Sequence, residues 1–131
     1  MKIAKKSCPN QTTQEMVISS SNLGYPTKKE YKKIIERIVK DFLDMIILSQ
    51  SKKGAITGYD IMTYVNENFD VMISPGTVYS TIYSLERQNF IVGNTVGEKR
   101  FYSITETGKQ KIETFVSLKS EIVDLIKNVV Q

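Results

Sequence analysis

The sequence predicts a mainly α (α+β) fold in the order helix, short strand, helix, helix, β-hairpin, helix. Three observations predict it. Apolar residues recur at helical spacing in the stretches after Thr27, Gly58, Ser74 and Thr105, strong helix-start signals stand at Thr27 and Ser74, and two β-rich runs flank a turn around Gly97.

Residues 1–26 are rich in Ser, Thr, Asn, Gln and Lys, end in Leu23-Gly24-Tyr25-Pro26 and show no sustained period, so they are expected to be a flexible polar and basic arm. Thr27 with Glu30 three residues later makes a capping box. After it Tyr31, Ile34, Ile35, Ile38, Val39, Phe42, Leu43, Met45, Ile46 and Leu48 predict one helix running to Ser51. The far half of that helix is apolar on more than one face, which asks for more covering surface than a small domain readily supplies.

Gly54 and Gly58 bracket Ala55-Ile56-Thr57, long enough only for a minimal strand or a turn. Thr57 is the expected N-cap of the next helix, whose apolar side is Tyr59, Ile61, Met62, Tyr64, Val65 and Phe69. Ser74-Pro75-Gly76 opens the third helix with a capping serine and a proline whose missing N–H costs nothing there. Val78, Ile82 and Leu85 should face the core. Thr77, Ser80, Thr81, Ser84 and Gln88 are left on the outer side, with Tyr79 and Tyr83 on a flank.

Phe90-Ile91-Val92 and Phe101-Tyr102-Ser103-Ile104 read as a hairpin with Lys99 and Arg100 near its tip. In the last helix, from Thr105, the residues Phe115, Leu118, Ile122, Leu125 and Val129 form a short heptad seam. The expected division is an arm over 1–26, a winged helix over 27–104 and a dimerisation helix over 105–131.

Composition narrows the function. The 131 residues suit one compact domain, and the formal charge of +4 suits a polyanionic partner without naming one. Basic residues crowd at Lys28, Lys29, Lys32 and Lys33, where a helix N-terminus disfavours cations. No histidine is present and Cys8 is the single cysteine, so an internal disulfide is excluded and hydrolytic or zinc chemistry is unexpected. No paired carboxylates, nucleophile with its base, or phosphate-cradling glycine loop can be assembled. The chain is therefore expected not to be an enzyme and to need no cofactor and no metal. Neither a signal peptide nor a stretch of the roughly 20 apolar residues a spanning helix needs is found, so a cytoplasmic protein without a membrane partner is expected.

A tight pair of central helices followed by a hairpin is the arrangement of a winged helix-turn-helix, in which the second helix of the pair enters the major groove of DNA. The small hydroxyl side chains on the outer face of the third helix can approach base edges and phosphates. Only Glu86 among residues 74–97 is acidic, whereas an ordinary solvated helix mixes both signs. The expected function is sequence-specific binding of double-stranded DNA as a homodimer, regulating transcription, with repression ahead of activation. The alternative is a winged helix that binds proteins without touching DNA. No small-molecule effector is assigned.

The segments Gly58-Tyr59-Asp60-Ile61, Ser74-Pro75-Gly76-Thr77-Val78-Tyr79, Leu85-Glu86 and Lys99-Arg100-Phe101-Tyr102-Ser103-Ile104-Thr105-Glu106-Thr107-Gly108 resemble the PadR-like transcriptional regulators, over roughly residues 31–130. The resemblance implies a winged helix, dimerisation through the C-terminal helix with help from the first, and a repressor-like role. It puts Ser74, Gly76, Thr77, Tyr79, Ser80, Thr81 and Ser84 against DNA, with Lys99 and Arg100 in the wing. The chain departs from some multidrug-binding relatives in lacking the tryptophan they use in a central pore, and its polar N-terminal arm is additional.

Overall fold

The computed structural model describes residues 27–130. The arm expected over 1–26, with Cys8 in it, lies outside the described residues, as does Gln131. The elements are α1 (Lys28–Asp41), α2 (Leu43–Ser51), α3 (Gly58–Phe69), α4 (Pro75–Arg87), β1 (Ile91–Val96), β2 (Lys99–Ile104), α5 (Glu106–Ser117) and α6 (Lys119–Val129). They fall into two compact units: residues 27–43 with 58–79, and residues 44–57 with 80–130. Helix α4 begins in the first unit and ends in the second. No helix of the described residues is long and apolar enough to cross a membrane.

In the first unit the capping box at Thr27 forms as its residues dictate. Thr27 Oγ1 accepts from the Glu30 amide at 3.2 Å, and the Glu30 carboxylate accepts from the Thr27 amide at 3.2 Å. Helix α1 turns Val39 fully inward, with Tyr31 and Ile35 half-buried, whereas Ile34 and Ile38 stay exposed on a second strip. Helix α3 buries Gly58, Ile61 and Val65. It ends at Asp70, which takes a left-handed conformation (φ 55°) while its amide donates to the Asn66 carbonyl. Lys32 pairs with Asp70 at 3.8 Å. The connector then alternates, burying Val71 and Ile73 and exposing Met72.

In the second unit α2 buries Ile47, Leu48 and Ser51, and Ile56 forms an isolated antiparallel bridge to Tyr102. The short strand expected between Gly54 and Gly58 is therefore a single bridged residue. Helix α4 closes with Asn89 left-handed (φ 64°) and the Phe90 amide reaching back to the Leu85 carbonyl, a Schellman ending. The hairpin is longer than the β-rich runs suggest. Its strands pair from Ile91↔Ile104 to Val96↔Lys99, leaving only Gly97 and Glu98 in the turn. Thr105 caps α5 by accepting from the Gly108 amide at 3.0 Å.

Two expectations are corrected. The single helix from Thr27 to Ser51 is interrupted at Phe42 (φ −106°, ψ 19°), and in the first turn of the helix that follows the Asp44 carboxylate accepts from the Met45 amide at 2.8 Å, a local side-chain bond that competes with a continuous helix. The last helix is likewise interrupted at Leu118. There Ser117 Oγ donates back to the Thr114 carbonyl at 2.7 Å and the Leu118 amide tightens onto Phe115 at 3.1 Å, the back-bonding that bends helices.

Candidate nucleic-acid interface

The sequence-predicted residues divide between the two units. Ser74, Gly76, Thr77 and Tyr79 stand at the start of α4 in the first. Ser74 Oγ accepts from the Thr77 amide at 3.2 Å and lies 2.9 Å from Thr77 Oγ1, so the two hydroxyls form one polar corner at the helix N-terminus. Gly76 beside them is exposed. Tyr79 behaves differently from its neighbours, since its ring lies against Gly58 on α3. A Cβ placed at Gly58 would meet Tyr79 Cζ at 2.5 Å and its hydroxyl oxygen at 2.6 Å. Glycine at 58 is thus the space the ring occupies, and Tyr79 is first a packing residue.

Ser80, Thr81 and Ser84 belong to the second unit. Ser80 is exposed, and Thr81 and Ser84 are partly so, while Ile82 and Leu85 on the same helix are buried. Gln88 folds back along the helix and donates to Ser84 Oγ at 3.0 Å. The outer face of this part of α4 is accordingly a run of short hydroxyl side chains. Groups of that size allow close approach of a polar ligand and both donate and accept hydrogen bonds.

Lys99 and Arg100 are separated by the strand that carries them, because successive residues of a strand point to opposite faces. Lys99 is exposed, and its side chain makes no hydrogen bond or ion pair among the described residues. Arg100 lies back across the hairpin. Its guanidinium donates to Glu86 on α4 at 3.2 Å and to Thr95 Oγ1 at 3.1 Å, and it sits 5.7 Å above the centre of the Tyr102 ring. A Cβ at Gly93 would meet that guanidinium at 2.5 Å. Tyr102, buried beneath it, has a phenol pKa raised above the ordinary value, chiefly by burial and further by the negative charge of Glu86. Sequence reasoning did not assign Glu86 this role. The only signal was that it is the lone acid of residues 74–97, and the structure shows that its charge is met by Arg100.

The expected seam on the last helix lies on α5 and α6. Phe115 and Ile122 are half-buried, whereas Leu118, Leu125 and Val129 are exposed, and α6 buries none of its residues. Val123, Ile126 and Val130 widen this apolar surface. Beside it an open groove of about 430 Å³ is lined by Met45, Phe90, Lys111, Phe115 and Leu118, with the Lys111 ammonium 5.4 Å over the Phe90 ring. Among the described residues no cluster of three or more Asp, Glu, Cys or His could hold a metal ion.

Paired helices, a two-stranded wing and a bridging residue standing in for a third strand define the winged-helix class. Comparison with known proteins gives the family. The model described as "Transcriptional regulator PadR-like family" matches residues 47–114, and the chain belongs to that family. Members of that family are described as transcriptional regulators. It is 28% identical over 93 residues to the negative transcriptional regulator PadR of Bacillus subtilis, an overlap covering 66% of this chain and 51% of that protein. The chain thus spans about half the length of this curated relative. A transcriptional regulator structure from Clostridium thermocellum shares the fold with a TM-score of 0.64 at 24% identity, covering 72% of this chain and 96% of that one. Bacillus subtilis PadR in complex with operator DNA aligns with a TM-score of 0.52 at 27% identity, covering 56% of this chain and 46% of that one.

The segments that carry the resemblance meet in two pairs, one within each unit. Gly58 of the first segment receives Tyr79 of the second, and Glu86 of the third receives Arg100 of the fourth.

Proposed function

We propose that the chain binds double-stranded DNA sequence-specifically as a homodimer and represses transcription. The observation that carries this reading is the outer face of α4, a hydroxyl-bearing strip on a helix whose single carboxylate, Glu86, is paired with Arg100. Base-edge contacts fall to Thr77, Ser80, Thr81 and Ser84, with Ser74 and Gly76 bringing the helix N-terminus to a phosphate. Lys99 at the wing supplies a further phosphate contact. The structure of Bacillus subtilis PadR with operator DNA supports the choice of duplex DNA as the polyanion.

Dimerisation through Phe115, Leu118, Ile122, Leu125 and Val129 supplies the second copy. Its support is the run of exposed apolar side chains on α6 and its approach, Leu118, Val123, Leu125, Ile126 and Val129, on a helix that buries none of its residues. In this reading residues 27–104 are the DNA-binding part and 105–131 the dimerisation part, and the two α4 helices meet successive major grooves about 34 Å apart.

Fluorescence anisotropy with a labelled duplex from the protein's own promoter region tests the proposal. Saturable binding that outcompetes random duplex by about a thousandfold is expected at fixed salt. Retention of a protein partner with no preference for any duplex would replace this reading with that of a protein-binding module.

A further inference from the structure

We propose that Arg100 is a positioning residue, a brace that fixes the wing against the C-terminal turn of α4 by way of Glu86, and that Lys99 alone makes the wing's phosphate contact. The inference rests on the DNA-binding reading above and assigns its two wing cations different work.

Four neighbours define the brace, all within the second unit. Glu86 and Thr95 accept from two different guanidinium nitrogens, Nη2 and Nη1 respectively, so the fork is held at both prongs. Tyr102 provides the aromatic floor and Gly93 the open space above β1. Thr95 and Gly93 stand opposite Arg100 and Tyr102 in the hairpin register, so three of the four contacts follow from strand pairing alone. The fourth, Glu86, comes from 14 residues earlier on another element.

A brace is needed here because the outer half of the wing has little else to hold it. From Asn94 to Arg100 every residue is exposed, and an isolated two-stranded hairpin is marginal in water. The angle between wing and α4 decides whether a cation at Lys99 and a hydroxyl at Ser84 can reach one duplex together. A planar fork that binds a carboxylate and a hydroxyl at once sets such an angle, and a lysine at 100, with one point charge, would not.

The sign of one substitution separates the brace from a pair of independent surface charges. Removing an acid beside a DNA-binding face strengthens binding when charge alone matters. If Glu86 holds Arg100 in place, Glu86→Gln instead weakens binding to the promoter duplex, by about two- to five-fold for a partly exposed pair. Arg100→Gln and Arg100→Lys are expected to weaken it by a like factor, and the Glu86→Gln/Arg100→Gln double variant by no more than either alone. The dependence of log Kobs on log salt should keep its slope in the Arg100 variants and drop by about 0.9 in Lys99→Gln.

Tighter binding by Glu86→Gln, or a slope reduced by about 0.9 in Arg100→Gln, would overturn the brace. A second arm needs no DNA: urea unfolding of the unsubstituted protein, Glu86→Gln, Arg100→Gln and the double variant should show non-additive midpoint shifts for residues 86 and 100, and strict additivity would also overturn it. Failure of the unsubstituted protein to prefer its promoter duplex would overturn the proposed function instead, and the unfolding arm would still decide the brace.

Discussion

Helices α4 and α6 carry the same apolar signature and put it to opposite use. In α4, Val78, Ile82 and Leu85 follow at intervals of four and three, and all are buried; in α6 and its approach, Leu118, Ile122, Leu125 and Val129 follow at four, three and four, and three of the four are exposed. Spacing defines a helix and the side it would hide. It does not say whether that side is covered by the same chain or by another. In α4 that side is buried, Val78 in the first unit and Ile82 and Leu85 in the second, whereas in α6 it is left exposed.

The strongest way to break the comparison is to truncate one residue on each helix. Ile82→Ala removes a fully buried side chain, and unfolding in guanidinium chloride should show a loss of about 3 kcal/mol. A loss below 1 kcal/mol would mean that the covered face of α4 is not covered. Next in size is Gly58→Ala, which sets a methyl group into the Tyr79 ring and should cost about 2 kcal/mol. Adding Tyr79→Leu should recover part of that loss, and an unchanged melting temperature in the single variant would deny the close approach.

Leu125→Asp sharpens the other half of the comparison. Leu125 is 60% exposed, so the charge should barely disturb the folded chain, but buried at a dimer interface it should weaken association at least about tenfold. Sedimentation equilibrium reads the difference. An unaltered dimer would remove α6 from the interface, and a monomeric unsubstituted protein would remove the interface itself.

The smallest effect is expected at the exposed end of α1. The Thr27 amide and hydroxyl bind the Glu30 carboxylate and hold its pKa below the ordinary value. A depressed folded-state pKa stabilises the fold above the unfolded-state pKa, and that contribution is lost as pH falls through the folded-state value. Stability measured downward from pH 7 should therefore drop slightly more steeply in the native protein than in Glu30→Gln. Because Glu30 is fully exposed, parallel curves would place the capping box within solvent screening.

What the sequence made legible were features governed by near neighbours. The caps at Thr27 and Ser74 act over three residues, the buried stripe of α4 over seven, and the winged order of elements follows from them. The breaks at Phe42 and Leu118 escaped because both residues are apolar and continue the periodic pattern, while the competing bonds are made by polar side chains beside them, Asp44 and Ser117. The strands were under-read because Gly93 and Asn94 are poor strand formers, kept in β1 by pairing with Tyr102 and Phe101. Within the candidate interface the outer strip of α4 was legible and the parting of Lys99 from Arg100 was not. Adjacent cations look alike in a sequence; a carboxylate on another element tells them apart.

The space at Gly58 carries a consequence for any redesign of α4. Residues 58 and 79 behave as a single coupled choice: a library that randomises Tyr79 while keeping the glycine leaves a hole beside α3, and one that enlarges position 58 while keeping the tyrosine drives the ring outward. Under the proposed DNA-binding reading, variation of sequence preference is best confined to Thr77, Ser80, Thr81 and Ser84, with the 58–79 pair varied jointly or left alone.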